Sequence, residues 1–145
     1  MKELIENITE GKEINIRNNR YIVISKVFYV TDINKLKYVK IVLSGYKILV
    51  ISDTDNYICI GDLIKDIIPG TYDKDSFIYN NKKYTKATKD YQRVDNIEFG
   101  DSTNTEGELW YIDYESEDGE NIISLTIDGK ADCLLDIISI EDVVI

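Results

Sequence analysis

A chain of 145 residues, 43% hydrophobic and 30% charged, has the size and composition of one ordinary globular domain. It contains no histidine and only two cysteines, Cys59 and Cys133, which excludes Ser-His-Asp and Cys-His catalysis and a Cys/His zinc cluster. The net charge of −10 is unevenly spread: residues 1–93 carry 16 basic against 12 acidic groups, while residues 94–145 carry 15 acids and one base, Lys130.

The first ten residues place Leu4, Ile5 and Ile8 on one helical face, and Gly11 ends that segment. The start has acids where a secretion signal is basic and then apolar. No apolar run reaches the ~18–20 residues that span a bilayer, so a cytoplasmic location without direct membrane insertion is expected. Strand-like runs rich in β-branched residues and tyrosine follow at 12–17, 20–31, 35–43 and 46–52. The first two meet at Asn18-Asn19, residues that tolerate positive φ in a tight hairpin. Run 20–31 is apolar on both faces, which predicts a central strand covered on both sides.

The loop Asp53-Thr54-Asp55-Asn56 leads to a short strand at 57–60. Residues 60–68 fit two descriptions, because Ile60, Leu63, Ile64, Ile67 and Ile68 have helical spacing but β-branched content. Pro69-Gly70 is the strongest punctuation in the chain. Beyond it come strands 76–80 and 83–93, turning at Asn80-Asn81, then a polar stretch from Gly100 to Gly107, expected to be disordered or to contact a partner. Strands 108–115 and 120–128 join at Ser116-Glu117-Asp118-Gly119. Residues 132–138 and 140–145 close the chain, with Val143-Val144-Ile145 expected to be tied into a sheet.

Parts of the chain echo each other. Ile16-Arg17-Asn18-Asn19-Arg20-Tyr21 reappears as Ile78-Tyr79-Asn80-Asn81-Lys82-Lys83-Tyr84, and Cys59-Ile60-Gly61-Asp62-Leu63-Ile64 as Cys133-Leu134-Leu135-Asp136-Ile137-Ile138. Self-similarity of this kind reads as one supersecondary unit used twice. The expected architecture is all-β (β-rich): a single domain over 1–145 with at most a short N-terminal helix. Two duplicated, mostly antiparallel strand units, 11–68 and 75–145, would pack within it.

Residues that could carry chemistry are few. The acids Asp113, Glu115, Glu117, Asp118 and Glu120 miss the calcium-loop spacing, since placing Gly119 at the sixth position puts Tyr114 at the first; a solvated hairpin tip is the expectation. Asp62 and Asp136 match across the echo and read as turn-formers. Trp110, Tyr111 and Tyr114 read as core residues of a strand. Cys59 and Cys133 read as buried thiols, with a bridge across the two units as the alternative. No cofactor, metal or catalytic residue is expected. The candidate partner-binding residues are Lys82, Lys83, Lys86, Lys89, Tyr84 and Tyr91. Bases interleaved with aromatics suit single-stranded nucleic acid, but the overall acidity disfavours it. The basic stretch is expected to face the acidic half, within the molecule or across a dimer.

Three groups of residues together resemble the bacterial family known as domain of unknown function 4178. They are Gly11 with Ile14-x-Ile16 and Tyr21-x-Val23; Tyr38 to Leu43 with the Leu49 strand; and Glu106-Gly107-Glu108-Leu109-Trp110-Tyr111-Ile112-Asp113-Tyr114 leading into Ile123-Ser124-Leu125-Thr126-Ile127-Asp128. The resemblance implies a bacterial, cytoplasmic, non-catalytic accessory protein from gene neighbourhoods linked to envelope stress. The functional expectation is a binding module acting through protein–protein contacts, as a monomer or homodimer. The alternatives are a small-ligand binder or enzyme using a cleft between the two units, and a single-stranded nucleic-acid binder on the 79–93 surface.

Overall fold

The computed structural model describes residues 1–100 and 108–145; most of the polar 100–107 stretch therefore lies outside the described residues. Among these residues the chain forms one short helix, α1 (Lys2–Asn7), and eleven strands: β1 (Glu13–Ile16), β2 (Asn19–Thr31), β3 (Lys37–Leu43), β4 (Lys47–Ser52), β5 (Tyr57–Leu63), β6 (Ser76–Tyr79), β7 (Lys82–Phe99), β8 (Leu109–Ser116), β9 (Asn121–Thr126), β10 (Cys133–Ile138) and β11 (Val143–Val144). The all-β expectation holds, and no helix among the described residues is long and apolar enough to cross a membrane.

The sheet closes on itself. Its order is β11-β1-β2-β3-β4-β5-β10-β9-β8-β7-β6, and an added β2–β7 pairing turns the eight strands from β2 to β7 into an antiparallel barrel. Two long strands make closure possible. β7 pairs with β6 over its first residues, with β8 over Tyr84–Gln92 and with β2 over Gln92–Phe99. β2 likewise serves β1, β3 and β7. The runs β1–β5 and β6–β10 take corresponding places in this order, and the β5–β10 register sets Gly61 opposite Leu135, two positions that the sequence echo equates.

Both expected Asn-bearing turns are tight hairpins. Arg17 and Asn18 have φ of 49° and 67°, and Asn80 and Asn81 have 47° and 64°, the positive values that two-residue turns matching strand twist require. The first turn is thus centred one residue before the Asn18-Asn19 predicted.

Strand alternation sorts side chains into three layers. Val39, Ile41 and Leu43 of β3, Leu49 and Ile51 of β4 and Ile58 and Ile60 of β5 form an outer cluster, which Ile8, the β1 and β11 residues and α1 cover. Ile112, Tyr114, Ile123 and Leu125 form a second outer cluster under β6 and the 64–72 connector. The intervening positions, Tyr38, Ile48, Val50, Cys59, Cys133 and Leu135 with Val27 and Tyr29, face the barrel interior. Lys26, only 1% exposed, fastens α1: its ammonium donates to the carbonyls of Ile5 (2.6 Å) and Ile8 (3.0 Å) and pairs with Glu98 (2.8 Å). It thereby satisfies carbonyls at the helix's C-terminal end.

Three expectations are corrected. Strand β7 continues six residues past Arg93, because 94–99 pair with β2 rather than leaving the sheet. Residues 64–68 are neither helix nor strand; Ile64 and Ile67 pack as a connector over the second outer cluster. Asp62 and Asp136 lie within β5 and β10, not in turns, where Asp62 pairs with Lys47 (2.7 Å) and Asp136 accepts from Asn121 (2.5 Å).

Candidate functional site in the barrel interior

Eight antiparallel strands enclose a space that side chains either fill or share with one small ligand. Here they leave a cavity of about 310 Å³. Its wall comes from both halves of the chain: Tyr38 and Lys40 of β3, Val50 of β4, Tyr57 and Cys59 of β5, Thr88 and Gln92 of β7, Tyr111 and Asp113 of β8, Ser124 of β9, and Cys133 and Leu135 of β10. A bulge between Lys86 and Thr88 turns β7 so that Lys86 stays outside while Thr88 faces in. Leu36, Asp55, Ala87, Glu115 and Ile137 also line it, at the end of the barrel where the β2–β3 and β4–β5 connections lie. A hollow of about 580 Å³ lies between the 65–72 connector and the β9–β10 turn. It is a surface groove, with Lys65, Ile68, Ile127, Asp128 and Lys130 all exposed.

The interior is polar for a core. The Tyr38 hydroxyl donates to Gln92 Oε1 at 2.6 Å, and the Tyr38 and Tyr29 rings stack at 5.4 Å. The Lys40 ammonium lies 5.3 Å from the Tyr29 ring centroid and 6.0 Å from that of Tyr38, within cation–π range. Asp113 is half-buried and lines the cavity. That burial pushes its carboxyl up to about 6, against the pull of the Ser124 hydrogen bond and the Lys40 charge. Burial also pushes both thiols up to about 12 and raises the Tyr38, Tyr57 and Tyr111 hydroxyls. Both cysteines are free, so the expected buried thiols are present and the bridge is not.

One end of the barrel is fixed by Asp90, which is fully buried. It accepts from the amides of Ile33 (2.8 Å), Asn34 (2.9 Å) and Tyr91 (2.8 Å). Burial alone would raise its pKa, but these amides and the Thr31 hydroxyl outweigh that effect and hold it below the ordinary value. The β2–β3 loop beside the cavity is thereby tied to β7.

The partner-binding residues expected from the sequence do not form one open surface. Tyr84 is 2% exposed, stacked on Phe77 at 5.8 Å, so the expectation that it contacts a partner is corrected. Tyr91 packs edge-on against Trp110 (5.4 Å) and beneath Arg93 (4.9 Å). Lys82 bridges Asp118 (2.7 Å) and Glu120 (3.8 Å). Lys86 and Lys89 share Asp73 at 2.8 and 3.0 Å, and Lys83 is exposed. The acidic half does meet Lys82, and Arg93 through Glu108 at 3.7 Å, but Lys86 and Lys89 turn to the first half instead.

Sequence reasoning missed the interior set. Asp113 lies inside the barrel and not on a solvated tip, and of the three aromatics read as core only Tyr114 is an ordinary core residue. Tyr111 faces the cavity and Trp110 is 37% exposed. The available signal was a charge flanked by apolar residues within a strand: Lys40 between Val39 and Ile41, and Asp113 between Ile112 and Tyr114. Among the described residues, no three His, Cys, Asp or Glu side chains converge as metal ligands. No protein-family model, curated protein or solved structure matches the chain.

Proposed function

We propose that this protein is a non-catalytic small-ligand binder whose site is the barrel interior. The observation that carries this reading is the cavity of about 310 Å³ walled by an apolar base and a few inward polar groups, Lys40, Gln92, Asp113 and Ser124. Its size lies at the lower end of the range of small-molecule sites, and its mix of apolar wall with sparse polar groups is theirs as well. Its wall draws residues from both halves of the chain. The binding reading is supported by the wall chemistry: its thiols and tyrosine hydroxyls stay protonated at neutral pH, and the sequence holds no histidine.

The test is a fragment screen read by amide chemical shifts. Binders should move the amides of Tyr38–Val42, Tyr111–Glu115 and Ser124. Shifts confined to the barrel exterior, or none at millimolar fragment concentrations, would reject interior binding.

A further inference from the structure

The charges of the wall narrow the class of ligand. Its ionisable carboxylates are Asp55, Asp113 and Glu115, against the single ammonium of Lys40. Asp113 is the innermost. It accepts one side-chain hydrogen bond, from Ser124, although a carboxylate has about four acceptor positions. Asp113 itself lines the cavity. An enclosed carboxylate with open acceptor positions is costly unless a donor or counter-ion completes it. The walls add π-faces: Tyr38, Tyr57 and Tyr111 line the cavity, and the Tyr38 ring lies 6.0 Å from the Lys40 ammonium, within the range at which a ring attracts a cation.

We infer that the cavity binds a small organic cation, an amine with a compact apolar body, whose ammonium ion-pairs with Asp113. This inference rests on the interior-binding reading above. The acids at the mouth, Asp55 and Glu115, draw a cation inward, and the body packs on Val50, Ile122 and Leu135. An anionic ligand would meet Lys40 but would also pass and oppose three carboxylates. Asp113 must be ionised for the pair to form. The charged and titratable groups around it are Lys40 and Tyr38 on β3, Tyr57 and Cys59 on β5, Tyr111 and Glu115 on β8, Cys133 on β10, and Asp55 at the mouth. The thiols and hydroxyls among them do not ionise between pH 5 and 7.5, so the pH dependence reports the carboxylates, and Glu115→Gln and Asp55→Asn separate the mouth from Asp113.

The experiment uses two matched trios as probes: tyramine, 4-ethylphenol and 4-hydroxyphenylacetate, then hexylamine, hexanol and hexanoate. Binding is measured by calorimetry and located by amide shifts. The amine of at least one trio should bind about tenfold or more tighter than its neutral and anionic partners. Its affinity should fall about tenfold between pH 7.5 and pH 5, as proton competition at Asp113 requires. Asp113→Asn should abolish the preference while keeping the shift dispersion of a folded barrel. Lys40→Met, which removes the competing ammonium, should tighten amine binding, so the proposal does not depend on one variant. Equal or stronger interior binding of the neutral or anionic members, or an amine preference that survives Asp113→Asn, overturns the cation inference and leaves interior binding standing. No interior binding by any of the six overturns both.

Discussion

Replacing Asp113 with asparagine should stabilise this protein at neutral pH, which reverses the usual effect of altering a buried polar residue. The barrel takes the carboxyl from an ordinary 3.8 to about 6. At 1.36 kcal/mol per tenfold change in proton affinity, holding it ionised above pH 6 costs the folded state about 3 kcal/mol. The sign follows from the direction: the folded state binds the proton more tightly, so the penalty is absent below the unfolded value, grows between pH 3.8 and about 6, and is complete above that. Asparagine has the same shape, still accepts from the Ser124 hydroxyl and carries no charge to desolvate. The variant should therefore exceed the parent by about 3 kcal/mol at pH 7.5, a shift of roughly 1–2 M in the urea midpoint, with the gap closing towards pH 4. Urea titrations at a series of pH values, followed by the single tryptophan, Trp110, measure this directly. A variant no more stable than the parent at pH 7.5, or a gap independent of pH, would refute the reasoning.

A Cβ on Gly61 would lie 1.8 Å from the Leu134 carbonyl oxygen, so Gly61→Ala should cost more than about 3 kcal/mol or prevent closure of the β5–β10 pair; thermal melting against the parent decides. Asp90→Ala strips three amides of a charged acceptor and should cost about 3 kcal/mol, with faster hydrogen exchange at Ile33 and Asn34 as its local sign. Lys26→Met should leave the barrel intact but raise exchange over residues 2–8, because the Ile5 and Ile8 carbonyls lose the Lys26 ammonium that ties them to β2; unchanged exchange there would show that Lys26 does not hold the helix. Cys59 and Cys133, with thiols pushed up to about 12, should react with a disulfide reagent at pH 8 far more slowly in the native protein than in urea.

Local pattern carried most of the strands but not their closure. The β-branched apolar runs of β3, β4 and β9 and the two Asn-bearing turns are written within a few residues, where strand propensity and positive φ leave a direct mark. The double covering expected of β2 holds for its second half only, where Val27 and Tyr29 face the interior and Phe28 the outer cluster; up to the irregularity between Val23 and Ser25, Ile22 and Ile24 are exposed. The pairings that make a barrel, β2 with β7 and β5 with β10, join residues more than sixty positions apart and leave no local trace. The segment Val94-Asp95-Asn96-Ile97-Glu98-Phe99 is a strand because β2 awaits it, not because its own sequence demands one. The interior was hidden for the same reason. Until the sheet curves shut, Lys40 and Asp113 read as charges on a solvated face, and only closure turns that face into a chamber.

The two seams of the barrel also order its birth in time. Strand β5 ends at Leu63, but its neighbour β10 ends at Ile138, so during synthesis one side of β5 stays open while roughly 75 further residues are made. At about 5–20 residues per second that wait lasts on the order of 4–15 s. Through it, Ile58, Cys59 and Ile60 sit on a bare strand edge, the kind of template that invites pairing with another chain. The nascent first half is thus the aggregation-prone species, and conditions that slow translation should lower the soluble yield before they alter the finished protein.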